Sequence, residues 1–415
     1  EERGTVEFSS EVRLESVKRI QQQGGKRVVL HVFSKSTPGY LRAAAFETFE
    51  NSRWNTDAEV QILEPADTAV EHLELPYDSA VFVPYAADSR QWQTLDIWPS
   101  TRLSAGMLAP LGTAVFQAPV ESILHYENDA YDSPDLYSGV NYVAAVPQRP
   151  VTRPPGQEYL QRCLQLPEDI DGRIEQLAEE LFRECRPGPA GKIAAVVSYF
   201  NANYTYHLGV RVPRRQDPLT YFLLEKPAAH CEYFAAGAAI LLRLGGVPCR
   251  YVTGFVATER NPYLEDSWLA RNQDAHAWVE AWDAEQKQWV LVEATVAGGV
   301  PEGDEGSQAG YLWDSINYQL QNLRVTLYLE GVKGVFRWIG GRLADLVASW
   351  IGWLLILLLA LSAGVRWWRK YQRYRRSLPA DRQVRTLQRL LGRMDKQIHR
   401  QGLVRQPAET LEKFA

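Results

Sequence analysis

The sequence predicts an α+β fold: a mostly-β region, then a core of helices followed by antiparallel strands, then a single transmembrane helix. Three observations lead there. Residues 1–150 break into short β-type runs separated by turns. After a proline-rich stretch, helical periods take over and then yield to a hairpin. Near the C-terminus, 20 consecutive residues carry no charge.

The elements follow in order. "KRVVLHVFS", "AVEHLELPY", "AVFVPYA" and "YVAAVPQ" alternate or run apolar between turns, and no long helical period interrupts them. Residues 1–150 are therefore assigned as a mostly-β domain. "VPQRPVTRPPGQE" (146–158) is a linker, because proline fixes an extended backbone and restricts the residue before it. In the second domain, 158–300, Ile170 to Cys185 and Ala190 to Tyr204 have helical spacing. A third helix opens at Cys231, runs through the apolar Ala235–Leu244 segment and is closed by Gly245 and Gly246. The strand "CRYVTGFVA" and a hairpin, "HAWVEAW" returning as "WVLVEAT", complete it. Helices followed by antiparallel strands are the α+β pattern. "GGVPEGDEGSQAG" (298–310) is a second linker, and a juxtamembrane helix is expected over 311–345.

The uncharged run is "LVASWIGWLLILLLALSAGV", residues 346–365, which matches the roughly 20 residues a helix needs to cross a bilayer core. Trp350, Trp353, Trp367 and Trp368 mark its ends as interfacial aromatics do. Arg366, Arg369, Lys370, Arg373, Arg375 and Arg376 follow it, so the 366–415 tail is expected in the cytoplasm and residues 1–345 outside.

Composition limits the function classes. At 46% hydrophobic and 11% aromatic, bulk disorder is excluded. The net charge of −5 divides unevenly, since the 366–415 tail holds 14 Lys and Arg against 4 Asp and Glu, leaving −15 on residues 1–365. An acidic body argues against nucleic acid as a partner. Four cysteines (163, 185, 231 and 249) are too few for a disulfide scaffold, and no CxxC or His/Cys metal spacing occurs, so no metal or cofactor is expected. Cys163 and Cys185 either pair in an oxidising compartment or remain buried thiols.

Cys231 is the candidate nucleophile, because free N–H groups and the dipole at a helix start favour a thiolate. The strand period puts His276, Trp278, Glu280 and Trp282 on one face. A two-residue loop at Ala284–Glu285 would set His276 directly opposite Glu293, and any even loop length keeps the two on one face. Thiol, imidazole and carboxylate in that order supply nucleophile, general base and orienting acid, as in papain-like enzymes. Asp274, two residues before His276, is the competing acid. Each residue alone has an ordinary structural explanation; together, on these elements, they point to a catalytic set.

"HCEYFAAGAAILLRLGGVPCRYVTGF", "DAHAWVEAW" and "WVLVEAT" resemble the three core motifs of the transglutaminase-like superfamily. "PGYLRAAAFETFENSRW" (38–54), "DPLTYFLLEKPAAHCEYFA" (217–235) and "VRQPAETLEKFA" (404–415) extend the resemblance to bacterial membrane-anchored proteins of the TgpA type. It implies a papain-like/transglutaminase-like core with Cys231, His276 and Glu293 at the catalytic positions. It also implies a thioester on Cys231, formed from a protein or peptide substrate and passed to an amine or to water. A cysteine protease or amidase of the same fold, or an idle envelope-facing binding module, are the alternatives. The resemblance further implies transmembrane helices ahead of Glu1, most of a small cytoplasmic domain beyond Ala415, an inner-membrane location, and MoxR-type ATPases and von Willebrand A-type proteins as partners. Glu293-Ala294-Thr295 stands where the family usually has Asp-Pro-Thr, and Ala229 replaces its common glycine. An oxyanion would sit at the Cys231 helix start, with Tyr206 a candidate side-chain donor.

Reporter fusions active only outside the cytoplasm should work when joined near residue 310 and fail near residue 380. The opposite pattern would overturn the membrane assignment.

Overall fold

A computed structural model describes residues 6–402 apart from 8–10, 68–69, 101–102, 105, 137–138, 150–153, 214, 302–307 and 349. Residues 1–325 form one compact unit and residues 326–415 a second.

Two antiparallel sheets organise the first unit. The larger one has seven strands in the order Glu259–Arg260, Ser267–Arg271, Val28–Phe33, Trp92–Pro99, Tyr142–Pro147, Val115–Ala118 and Ala80–Phe82. The smaller has four: Gln288–Val292, Ala275–Asp283, Cys249–Ala257 and Gly39–Phe46. Strand pairing therefore crosses the expected boundary near residue 150 in both sheets. Gly39–Phe46 comes from the N-terminal region and seals one edge of the smaller sheet; Ser267–Arg271 comes from the later region and pairs with Val28–Phe33.

Five helices, Gln157–Arg162, Gly172–Arg183, Pro189–Asn203, Pro218–Glu225 and Cys231–Leu244, follow the N-terminal strands. Asp171 and Asp217 cap two of them by accepting from Arg173 N and Thr220 N. The Cys231–Leu244 helix is buried along its length from Cys231 to Arg243. Small residues make this possible: a Cβ on Gly237 would lie 3.0–3.2 Å from Leu223, Phe200 and Phe222. Gly246 (φ 74°) follows the helix in a left-handed conformation that glycine adopts without cost. On the Ala275–Asp283 strand, Ala275, Ala277, Val279 and Ala281 join the same core as this helix. The alternate residues His276 and Trp278 stack on one another.

The N-terminal region, expected to be mostly β, also contains a helix. Ser16–Gly24 is an α-helix, and residues 70–77 form turns and bends in place of the expected strand. His72 there has φ 58°, which breaks the extended run, while Val70, Leu73 and Leu75 still pack on Ala114, Val115 and Ala145.

Charge is buried behind the smaller sheet. Arg250 stands directly opposite Glu280 and donates Nε–H to Oε2 at 2.7 Å. Its Nη2 reaches Asp129 Oδ2 at 3.0 Å, and its guanidinium lies 4.2 Å above the Trp289 ring. Arg42 Nε pairs with the second Glu280 oxygen at 2.8 Å. Two N-terminal residues, Arg42 and Asp129, and two core residues thus share one desolvated network.

The C-terminal part contains the helices Gln308–Ala348 and Trp350–Arg400. Among the described residues no helix is long and apolar enough to cross a membrane; most side chains of the expected 346–365 span lie outside the described set.

Glu280→Ala should destabilise the first unit by roughly 3–5 kcal/mol, because two buried guanidinium groups lose their shared carboxylate. A urea midpoint unchanged from wild type would show that the network contributes little.

Candidate active site

Cys231 is the first residue of its helix, preceded by extended His230 (φ −99°, ψ 172°) with no side-chain cap. The first-turn N–H groups are left facing the thiol's end of the helix. The side chain is fully buried.

His276 lies opposite Gly254 in the middle of the four-stranded sheet, and its ring stacks on Trp278 at 6.4 Å and 17°. His276 Nε2 and Glu293 Oε2 are 2.7 Å apart. Glu293 is held at both oxygens: Oε2 also accepts from Tyr40 Oη at 2.8 Å, and Oε1 accepts from Thr295 N at 2.7 Å. Nδ1 of His276 lacks a fully formed hydrogen bond, and the Cys231 thiol acts on the same ring. Loose thiol–imidazole geometry of this kind commonly tightens when substrate binds.

Burial opposes an imidazolium at this position. The pull of Cys231, then of Glu293, together with their hydrogen bonds, outweighs it and raises the His276 pKa to about 10. Glu293 responds in the opposite sense: burial would raise its pKa, but the His276 charge and the bonds from His276 and Thr295 hold it below the usual value. Cys249 is fully buried, and burial raises its pKa despite Arg243 beside it. Cys163 is likewise pushed up to about 12. Cys163 and Cys185 are both free thiols.

The structure brings His276 and Glu293 together by a different register from the one expected. Val279 pairs with Val292, so the loop is four residues, and Glu293 lies past the end of the strand. Asp283 widens the turn by accepting from Glu285 N (2.9 Å) and Gln286 N (3.0 Å). An even loop length still leaves the two side chains on one face. Asp274 lies in a 3-10 turn before the strand, where its Oδ2 accepts from Arg271 N at 2.7 Å. That carboxylate closes a turn.

Sequence reasoning missed the contribution of the Ser16–Gly24 helix. Glu232, beside the nucleophile and fully buried, accepts from Glu15 N (3.0 Å), Val17 N (3.1 Å) and Lys18 N (3.2 Å). It thereby caps a helix more than 200 residues away in sequence. Burial pushes its pKa up to about 7 against those backbone donors. Neighbouring His230 is forced down to about 3, chiefly by burial, and so stays neutral. From the capped helix, Gln21 Nε2 donates to Ala275 O at 2.7 Å. Burial, then the neighbouring Cys231, raises the Tyr206 pKa. The spacing of Leu14, Val17 and Ile20 was the available helical signal; nothing in sequence marked Glu232.

A buried thiol at a helix start, with a carboxylate-held imidazole on the sheet beside it, defines a transglutaminase-like core. Residues 175–294 match the sequence model of the Transglutaminase-like superfamily, and the chain carries a domain of that superfamily. The Protein-glutamine gamma-glutamyltransferase of Pseudomonas aeruginosa is 29% identical over 414 residues, 90% of this chain and 56% of its own length. The YebA protein of Bacillus subtilis is 31% identical over 140 residues, 32% of this chain and 19% of its own. The crystal structure of the periplasmic domain of TgpA from P. aeruginosa superposes with a TM-score of 0.53 and 20% identity, over 69% of this chain and 93% of that domain. The fold is therefore shared. The chain spans little more than half of the first relative's length.

The His276 pKa is raised in the fold, so the stabilisation it brings is complete below about 6.5 and is lost as pH rises through about 10. The stability gap between wild type and Glu293→Gln should thus be wide at about pH 6 and narrow above about pH 10. Urea midpoints giving the same gap at both would contradict this pairing.

Proposed function

We propose that the chain is a membrane-anchored, extracytoplasmic thiol acyltransferase acting on glutamine side chains of proteins or peptides. The observation that carries this reading is the single buried His276 ring, bonded to Glu293 on one side and acted on by the Cys231 thiol. The P. aeruginosa relative's name supports the substrate class, and the likeness to a periplasmic domain supports the location.

His276 takes the Cys231 proton, and the thiolate attacks the carboxamide carbon. The oxyanion forms at the helix start, where backbone N–H groups receive it. Attack has formed the C–S bond; collapse of the tetrahedral intermediate restores the carbonyl and breaks the C–N bond, with imidazolium giving its proton to the departing ammonia. An amine then attacks the thioester, His276 accepts its proton, and the thiolate leaves. Glu293 orients the ring and stabilises the imidazolium throughout.

Cys231 and His276 are fully buried, which supports transfer to an amine over hydrolysis, since water must be kept from the thioester. Residues 346–365 would anchor the domain, leaving the basic tail inside.

The test is incorporation of a fluorescent primary amine into a glutamine-containing peptide, with ammonia release measured in parallel. Wild type should label the peptide and Cys231→Ala should not. Glu293→Gln should lose about 10²–10⁴-fold, while Asp274→Asn keeps substantial turnover if it folds. Ammonia release without labelling would favour the hydrolase alternative. Abolition by Asp274→Asn with Glu293→Gln unaffected would refute the triad assignment.

A further inference from the structure

Resting on that reading of the site, we propose that Tyr40 is a fourth member of the set: a positioning residue that fixes Glu293 against His276 from the opposite edge of the sheet.

Three observations carry it. Tyr40 Oη donates to the same Glu293 oxygen that faces His276, at 2.8 Å and 2.7 Å respectively. The Tyr40 ring is itself held, edge-on to Trp278 at 5.1 Å and 71°, and 6.1 Å from the His276 ring. The Glu293 side chain keeps 19% of its surface exposed while the imidazole beside it keeps none. A glutamate has more torsional freedom than an aspartate, and a partly exposed one would exchange its partner for water. The phenol occupies the position that water would take. Burial, then the charge of Glu293, drive the Tyr40 pKa far upward, so the hydroxyl remains a donor at any working pH.

Tyr40 reaches the site because of how the strands meet. It pairs with Val256 on the Gly39–Phe46 strand, separated from the His276 strand only by Cys249–Ala257. Within that middle strand, Gly254 lies opposite both Arg42 and His276. A Cβ there would collide with the Leu41 carbonyl and press on Trp278. Glycine at 254 lets the Tyr40 strand come close enough for the phenol to reach a carboxylate beyond the far side of the His276 strand. The acid's extra methylene and the tyrosine are two halves of one fit.

A double-mutant cycle on the imidazole pKa tests this. His276 is followed by ¹⁵N NMR in the full, histidine-labelled chain in detergent, with its signals assigned by His276→Gln. Tyr40→Phe should lower the His276 pKa by about one unit in the wild-type background and leave it unmoved in the Glu293→Gln background. An unchanged pKa in the first background would overturn the inference. So would an equal shift in both backgrounds, which would mean that the phenol acts by packing alone. Glu293→Gln itself failing to move the ring would instead overturn the underlying triad reading.

Discussion

The pairing of Gly39–Phe46 with Cys249–Ala257 is the contact on which the site depends. It makes a strand from the N-terminal region one edge of the sheet that carries His276. Through it, Arg42 enters the buried pair with Glu280, and Tyr40 arrives at Glu293. The Ser16–Gly24 helix reaches the site from the same region and is held there by Glu232. An independent core linked to an N-terminal domain by 146–158 alone would have had neither support. Burial of the acid, the helix cap and the ion network all follow from this shared construction.

The electrostatics follow from it too. An imidazole fully removed from water would ordinarily lose its proton, as His230 and His31 show with pKa values near 3 and 4. His276 goes the other way because Cys231 and Glu293 are held beside it, and together they outweigh the penalty of burial. Three histidines in similarly dry surroundings thus take opposite protonation states, and the difference lies in which side chains the strand pairing delivers. Low dielectric strengthens the ion pair as it penalises the lone charge.

Much of this was legible in the sequence. The helix opening at Cys231, its glycine stop and the nine-residue strand Cys249–Ala257 appear as the local patterns indicate. His276 and Glu293 were readable as partners because a period of two survives any even loop, although the direct cross-strand pairing was not. The miss came from Asp283, whose carboxylate holds a wider turn than a count of loop residues suggests. Asp274, the competing acid, was read as lying on the His276 strand; it lies in the 3-10 turn before that strand, where its carboxylate accepts from Arg271 N. Tyr40, Gln21 and Glu232 were illegible for one reason: each acts on a partner more than 200 residues away, where no local pattern connects them.

Covalent capture of an acyl group on Cys231 would show directly that the thiol is the nucleophile. The full chain is incubated with a glutamine-containing peptide, quenched in acid and weighed intact by mass spectrometry, then digested to locate the adduct. An adduct of peptide mass less ammonia is expected on Cys231, absent from Cys231→Ser and slow to form in Glu293→Gln. No adduct on wild type, or one forming equally fast in Glu293→Gln, would contradict the triad assignment.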